Sequence, residues 1–275
     1  MHEWEEPCIS QGNGSGTVFF SGCPLRCCYC QNYDISLGNR GRAIPVSRLV
    51  AIFFELAEQG AANINLVTGT QYVPWIVPAV AQARQRGLSL PVVWNTSGYE
   101  RDGIVRSLAG TVDVYLSDFK YAPGTFSDAA RVYSGAPDYF EVAVSALDAM
   151  VETTGMPRFD GSGRLLSGVV VRHLLLPGRL EDSEYVMHFL WERYGNRVLY
   201  SLMSQYTPIR TFDSMPELNK PTDKEAYEAL LNYADELGLD DYYWQEGDAA
   251  KESFIPPFDE TGVQGPGDGV TDVRN

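Results

Sequence analysis

Four of the five cysteines lie within eight residues, and no other pattern in this sequence indicates chemistry so directly. Cys23, Cys27 and Cys30 have the spacing C-x3-C-x2-C, and a compact loop of this kind can present three thiolates to one iron–sulfur cubane. An electron-carrying ferredoxin cluster uses four cysteines, whereas three leave one iron without a protein thiolate. That iron can bind a small molecule, as the open position of a catalytic zinc does.

The roles of the other two cysteines and the identity of the metal remain open at this point. Clustered cysteines favour metal binding over a disulfide framework, which would spread them along the chain. Cys28 adjoins Cys27 and is expected to point elsewhere as a small buried apolar residue. Cys8, fifteen positions before Cys23, is interpreted as structural, although it could in principle reach the cluster. A zinc site is the alternative for the loop, but a fourth ligand nearby and a second downstream cysteine pair are both missing.

The composition restricts the class of partner. The chain has 275 residues, of which 44% are hydrophobic and 21% charged, as in an ordinary soluble globular protein. With 21 Lys and Arg against 36 Asp and Glu, the net charge of −15 repels phosphate backbones, so we expect a small molecule or protein partner and no nucleic acid. No apolar run approaches the ~18 residues of a membrane span, and the acidic start over 1–6 is unlike a secretory signal. We therefore expect a cytoplasmic protein with no membrane partner.

Strand and helix patterns alternate along most of the chain. Six strand-then-helix units predict a parallel α/β sheet with right-handed crossovers, in which the chemistry lies at the carboxyl ends of the strands. We expect one core domain over 1–250, with a barrel over about 10–210, a C-terminal helix and strand over 211–250, and an extended or disordered tail over 251–275. The segment 121–135 is ambiguous. The strands are predicted over 17–20, 63–67, 91–94, 112–116, 168–173 and 197–203, and the helices over 46–59, 73–86, 101–108, 139–153, 181–194 and 224–237.

Two segments around the cysteines carry a family resemblance. Ser15 to Cys23 and Cys30 to Ser36, with an aromatic residue before the last cysteine, resemble the radical S-adenosylmethionine (SAM) superfamily. Within it they are most similar to the pyruvate formate-lyase activating enzymes and their uncharacterised iron–sulfur homologues, and the resemblance runs over about 5–208. It implies a partial, TIM-like (βα)6 barrel with a [4Fe–4S] cluster on the three spaced cysteines and SAM bound at the fourth iron.

The same resemblance implies the reaction and its partners. A one-electron donor such as flavodoxin or ferredoxin would reduce the cluster, SAM would be cleaved to a 5′-deoxyadenosyl radical, and the radical would abstract hydrogen. The substrate could be a protein, with the glycine of a partner enzyme as one choice. Two alternatives from other classes are a non-catalytic iron–sulfur electron carrier or redox sensor on the same barrel, and a zinc-binding structural protein.

The resemblance also assigns two cofactor-binding turns, both with departures from the family. Thr68, Gly69 and Thr70 follow the second strand, where the family has a Gly-Gly-Glu-like turn that meets the methionine amino group, and Thr70 stands in place of the acid. Asn95 and Thr96 follow the third strand and match a segment that helps to hold a monovalent cation, with Asn95 in place of an aspartate. A simple tight turn and a helix cap are the alternatives for these segments.

Four more residues complete the predicted cofactor site. Asp118 and Lys120 match the family's Asp-x-Lys, with Lys120 expected to pair with the methionine carboxylate and Asp118 with the ribose or a cation. The alternative for this pair is a solvated ion pair at a strand end. His173 matches an Arg-His segment after the fifth strand and would contact the cofactor, although a lone histidine there is more often structural. Asn32, after the last cysteine, is expected near the methionine moiety.

Overall fold

The computed structural model describes residues 1–3, 5–38, 40–244 and 258–263. Apart from 258–263, the tail predicted over 251–275 lies outside the described residues. In the described part of the chain, no helix combines the length and apolar character that crossing a membrane requires.

Within the described residues, seven parallel strands form the central sheet, in the order β1-β2-β3-β4-β6-β7-β8, and the short β5 pairs antiparallel with β6. This arrangement confirms the predicted parallel α/β barrel. The six predicted strands are present, and the strand expected after the last helix adds to the sheet beside β7. The strands are β1 (Gly16–Phe19), β2 (Ile64–Val67), β3 (Val92–Thr96), β4 (Val114–Asp118), β5 (Arg158–Phe159), β6 (Leu165–Leu174), β7 (Leu199–Met203) and β8 (Tyr242–Trp244).

Helices fill the crossovers between the parallel strands, as a βαβ chain requires. The ambiguous segment 121–135 contains one short helix, and the helix predicted over 73–86 continues through Pro78. Two four-residue helices, α1 and α2, were not predicted. The helices are α1 (Pro7–Ser10), α2 (Tyr33–Ser36), α3 (Val46–Glu58), α4 (Val73–Gln85), α5 (Asp102–Ser107), α6 (Ala129–Ser134), α7 (Tyr139–Thr154), α8 (Leu180–Tyr194) and α9 (Lys224–Glu236).

Alternation along the strands separates the core into two parts. Residues such as Trp94, Tyr115 and Val171 belong to a large cluster that packs against the surrounding helices. Their neighbours along the strands, such as Val93 and Val170, belong to a smaller cluster inside the barrel. Because successive side chains of a strand point to opposite faces, the polar residues that continue the inner rows at the strand ends must face the barrel interior.

The N-terminal segment lies between the two edge strands of the sheet. His2 exchanges backbone hydrogen bonds with Ser15, directly before β1, at 2.7 and 2.9 Å. Cys8 and Ile9 are buried in the inner cluster, and the partly buried Tyr243 of β8 packs against it. The segment thus covers backbone and apolar surface that an open sheet would leave at its edges.

Candidate iron–sulfur and cofactor site

The cysteine loop, residues 21–32, is fixed to the carboxyl end of the sheet by hydrogen bonds on both sides. The side-chain amide of Gln71, which follows β2, donates to the Gly22 carbonyl at 2.8 Å. On the opposite side the Cys28 N–H donates to the Tyr133 carbonyl in α6 at 2.7 Å. The loop therefore lies above the strand ends, where parallel α/β barrels place their chemistry.

Every thiol of the C-x3-C-x2-C spacing has a hydrogen-bonding group beside its sulfur. Cys27 is 8% exposed, and Cys23 and Cys30 are half-buried. Burial raises the pKa of Cys23 to about 12 and also raises the pKa of Cys27, although the Lys120 charge acts in the opposite direction on both. The thiols of Cys23 and Cys27 therefore stay protonated until a metal displaces the protons. The neighbouring groups are the Leu25 N–H for Cys23, the Ser134 hydroxyl at 3.0 Å from Cys27 Sγ, and the Ser36 hydroxyl at 3.2 Å from Cys30 Sγ.

This donor set fits an iron–sulfur cluster. Within the part of the chain that the structure describes, no three His, Cys, Asp or Glu side chains are arranged to hold a metal ion together. A cubane binds each cysteine through a different iron, so its three sulfurs need not converge on one point. Soft thiolates are also the ligands that such clusters select.

The two remaining cysteines differ in their surroundings. Cys8 is buried inside the barrel beside Tyr243, in the cluster that contains Val93 and Val170, so it does not join the cysteine loop. Cys28 is half-buried rather than buried, and its carbonyl accepts a hydrogen bond from Arg210.

Asp118 and Lys120 form an ion pair, and a third residue joins them. Lys120 Nζ lies 2.6 Å from Asp118 Oδ2, and Arg172 Nε donates to Asp118 Oδ1 at 2.9 Å. The side chains of all three are between 15% and 17% exposed, so the pair is not the solvated one considered as an alternative. Burial alone would raise the pKa of Asp118, but the charges of Arg172 and Lys120 outweigh it and hold the pKa below its usual value.

Arg172 links this pair to the N-terminal segment and to β3. Its Nη2 donates to Asn95 Oδ1 at 2.7 Å, and its Nη1 lies 3.4 Å from Glu5 Oε2. Glu5 Oε1 accepts hydrogen bonds from Asn65 at 2.9 Å and from Asn95 at 3.3 Å. Burial raises the pKa of Glu5, and the Arg172 charge opposes that rise. One buried polar network thus joins the N-terminal segment to β2, β3, β4 and β6, and it includes the predicted residues Asn95 and Asp118.

The predicted turn residues Thr70 and Thr96 meet at a carboxylate that the sequence did not single out. Glu100 is 2% exposed, and its Oε1 accepts hydrogen bonds from the Thr70 hydroxyl at 2.8 Å, from Trp94 Nε1 at 3.0 Å and from the Thr96 hydroxyl. Its Oε2 is buried without a hydrogen-bond partner. Glu100 therefore ties the turn after β2 to the end of β3.

Thr68 has backbone angles that are unusual for its type. Its φ is +60°, in the left-handed region that a β-branched residue rarely adopts, and its N–H donates to the Asn95 carbonyl at 2.9 Å. The next residue, Gly69, has no room for a side chain, because a Cβ there would lie 2.8 Å from Ile76 and 2.9 Å from Trp94. Such strain persists only where the surrounding structure enforces it, and it concentrates at functional sites.

His173 and Asn32 stand apart from this network. His173 lies on the face of β6 opposite to Arg172, is 2% exposed, and is held by the Phe119 carbonyl at 2.7 Å from Nδ1 and by Ser183 Oγ at 2.8 Å from Nε2. Burial lowers its pKa to about 4, so the ring is neutral at pH 7. This environment matches the structural alternative for His173. Asn32 is half-buried and precedes α2, and its carbonyl accepts the Ser36 N–H at 2.9 Å.

Comparisons with known proteins agree with this arrangement. The sequence model of the radical SAM superfamily matches residues 17–190, more than half of the chain. The uncharacterized protein MJ0674 of Methanocaldococcus jannaschii is 27% identical over 236 residues, which are 83% of this chain and 64% of the relative. A radical SAM methyltransferase from Sphaerobacter thermophilus has a TM-score of 0.53 and 16% identity, covering 83% of this chain and 65% of its own.

Streptococcus suis SuiB is a further structural neighbour. Bound to S-adenosylmethionine it gives a TM-score of 0.53 with 13% identity, covering 84% of this chain and 47% of SuiB. The structure of SuiB bound to its precursor peptide SuiA gives a TM-score of 0.53 with 10% identity, covering 84% of this chain and 48% of SuiB. At such identities the likeness establishes the fold alone, and this chain spans less than two thirds of the length of each of these proteins.

The chain belongs to the radical SAM superfamily. The cofactors of this superfamily are a [4Fe–4S] cluster and S-adenosylmethionine. The finer resemblance to the pyruvate formate-lyase activating enzymes stays a prediction.

Proposed function

We propose that this chain holds the [4Fe–4S] cluster on Cys23, Cys27 and Cys30 and abstracts hydrogen from a polypeptide substrate. When bound, the cluster and SAM together supply reductive cleavage of SAM to a 5′-deoxyadenosyl radical. One observation carries the proposal: three spaced thiols, each beside a hydrogen-bonding group, lie on one loop above the strand ends, close enough for the Lys120 charge to act on Cys23 and Cys27.

The polar network at the strand ends supports binding of the amino-acid part of SAM. A lysine ammonium has three N–H donors, so Lys120 can bind the methionine carboxylate while it keeps Asp118 as a partner. Asp118 can accept hydrogen bonds from ribose hydroxyls, and Arg172 fixes its orientation. We assign Asn95 to the side of this site that would hold a cation. We assign Asn32, which lies outside the polar network, to the side that would hold the methionine moiety.

The turn after β2 supports binding of the methionine amino group. Thr70 has no carboxylate of its own, but its hydroxyl donates to Glu100. A hydroxyl that donates to a carboxylate is a better acceptor for a second donor, since hydrogen bonds in a chain polarise one another. Thr68 and Gly69 contribute backbone groups, and Thr96 shares the Glu100 carboxylate. His173 is assigned a positioning role behind β6, because both of its ring nitrogens have protein partners.

The proposal also extends to the substrate and the electron donor. The resemblance around the cysteines to glycyl-radical activating enzymes supports a glycine in a partner protein, and the SuiB–SuiA complex is an example of a related barrel bound to a peptide. A cytoplasmic flavodoxin or ferredoxin is the one-electron donor that we propose.

Anaerobic reconstitution of the full chain tests the reaction. We expect about four irons per chain, as a [4Fe–4S] cluster requires, and an electron paramagnetic resonance (EPR) signal of the reduced protein that changes when SAM is added. After reduction by dithionite, release of 5′-deoxyadenosine measures cleavage, and candidate glycyl-radical partners should increase it. Iron uptake without 5′-deoxyadenosine would favour an electron carrier or redox sensor, and zinc uptake without iron a structural metal protein.

Cysteine variants provide the matched control. Cys23→Ala, Cys27→Ala and Cys30→Ala should each abolish the cluster, because each removes one of only three thiolates. Cys28→Ala and Cys8→Ala should load iron as the wild type does. Loss of iron in Cys28→Ala with retention in one of the first three variants would show that the ligands are wrongly assigned.

A further inference from the structure

A chain of buried hydroxyl groups ends on the sulfur of Cys27. Ser134 Oγ donates to Cys27 Sγ at 3.0 Å. Tyr121 OH lies 2.5 Å from Ser134 Oγ, and Tyr29 OH lies 2.7 Å from Tyr121 OH. All four residues are buried, with at most 8% of each exposed.

The proton positions in this chain follow from counting donors. A hydroxyl has a single proton. Because Ser134 directs its proton at Cys27, it must accept from Tyr121, and Tyr121 in turn must accept from Tyr29. Three O–H dipoles therefore align towards one sulfur, and aligned hydrogen bonds strengthen one another at the low dielectric of a buried site.

Backbone contacts hold this hydroxyl chain against the cysteine loop. The carbonyl of Ser134, at the end of α6, accepts the Arg26 N–H at 3.3 Å, and the carbonyl of Tyr133 accepts the Cys28 N–H at 2.7 Å. The Tyr29 ring packs edge-on to the Tyr133 ring at a centroid distance of 6.4 Å. The loop and α6 therefore keep the hydroxyl and the sulfur in a fixed relation.

We propose that Ser134, oriented by Tyr121 and Tyr29, is a positioning residue that raises the reduction potential of the cluster. The inference rests on the proposed function, because it takes Cys27 as a ligand. Reduction transfers one electron from an external donor to the cluster, and no bond of the chain forms or breaks. A hydroxyl that donates to a ligand sulfur stabilises the more negative, reduced state in preference to the oxidised state.

Ser134 should matter more than Ser36, the hydroxyl group beside Cys30. Ser36, 3.2 Å from Cys30 Sγ, is half-buried, so water can take its place when its hydroxyl is removed. Ser134 is 2% exposed, and its hydroxyl contacts the buried Tyr121 hydroxyl. Its removal therefore leaves the Cys27 sulfur without a ready substitute donor.

A potentiometric titration of the reconstituted full chain tests the inference, with EPR following the reduced cluster. Ser134→Ala should lower the ratio of reduced to oxidised cluster at a fixed potential by about tenfold, or about 59 mV for a one-electron couple. Tyr121→Phe should shift the potential in the same direction by less, and Tyr29→Phe by least. Ser134→Thr keeps the hydroxyl, so its reduction potential should lie close to that of the wild type.

Ser167→Ala is the control, because Ser167 is also buried but its hydroxyl donates to the Thr154 carbonyl at 2.9 Å, away from the cysteines. Its potential should equal that of the wild type. Equal potentials for Ser134→Ala and wild type at equal iron content would overturn the inference and leave the proposed function intact. If Ser134→Ala takes up no iron, the reduction potential of Tyr121→Phe is compared with that of the wild type instead. Equal potentials of these two proteins would likewise overturn the inference. Failure of the wild type itself to take up a cluster would instead overturn the proposed function.

Discussion

At the carboxyl ends of the strands, single charged residues stabilise the site by neutralising the charges of their neighbours. Arg172 is the cation shared by Asp118 and Glu5, and all three are almost buried. Removing one member of a buried ion pair typically costs about 3–5 kcal/mol, because the remaining charge has no partner. Asp118 therefore depends on Arg172 for its ionised form, and Lys120 is held in place through Asp118.

His173 gives a prediction about pH at the same scale. Burial lowers its pKa from 6.5 to about 4. Between these two pH values the unfolded chain therefore binds a proton on His173 that the folded chain does not bind. The stability that depends on neutral His173 is complete above pH 6.5 and is lost as the pH falls from 6.5 towards 4. Between pH 7 and pH 5 this loss should be about 2 kcal/mol.

Urea unfolding of the wild type and His173→Asn at pH 7, 6 and 5 measures that loss. The asparagine amide can still donate to the Phe119 carbonyl but does not titrate. The wild type should therefore lose about 2 kcal/mol more than the variant between pH 7 and pH 5. Contributions from Glu5 and Glu6, whose pKa values burial raises, are common to both proteins and cancel. Parallel pH profiles would contradict the prediction.

At the scale of the elements, the turn after β3 positions the end of β4. Gly98 has φ +76°, and a Cβ there would lie 2.2 Å from the Asp118 carbonyl oxygen. Gly110 has nearly the same φ, +75°, but a Cβ there would meet nothing within 4 Å. The two glycines therefore separate the cost of the backbone conformation from the cost of the close approach.

Gly110→Ala should destabilise the protein by about 1–2 kcal/mol, the cost of left-handed angles for an L-residue. Gly98→Ala should cost about 1–3 kcal/mol more, because the added methyl group must displace backbone beside Asp118. The difference in urea midpoints at equal m-values measures the extra cost, and SAM binding should weaken in Gly98→Ala alone. Equal destabilisation of the two variants would show that the turn adapts without moving β4.

The elements were largely predictable because their signals are local. Apolar alternation and runs fixed β3, β4 and β6 within a few residues, since a strand or helix pattern lies within its own segment. The segment around α6 stayed ambiguous because six residues carry less than two turns of helical period. The N-terminal segment has no periodicity, so its place inside the barrel could not be foreseen.

The candidate site was predictable where its partners are close in sequence. Asp118 and Lys120 lie two positions apart, and their pairing follows from strand alternation. The contacts of Arg172 with Asp118 and Glu5 span 54 and 167 positions, and such distances leave no local signal. Arg172 itself could have been found, because a charge that continues an apolar inner row of β6 needs a buried partner.

The whole molecule combines a covered barrel with a strongly negative surface. The N-terminal segment lies against β1 and β8, and Phe258 packs edge-on to Phe19 of β1 at 5.3 Å. The two ends of the described chain thus cover the part of the sheet that strand pairing leaves open. The net charge of −15 opposes this compact arrangement through self-repulsion.

Salt should therefore stabilise the folded protein. The Debye length falls from about 30 Å at 0.01 M to about 8 Å at 0.15 M, which screens repulsion across the surface and acts much less on the buried Arg172–Asp118 pair. We expect a gain of about 1 kcal/mol, or roughly 2–4 °C in Tm for a chain of this size. Sodium, potassium and choline chlorides at equal ionic strength should give the same rise at equal cluster content. A fall in Tm with salt would mean that surface pairs such as Arg193–Asp148 outweigh the repulsion, and a rise confined to one cation would indicate its specific binding.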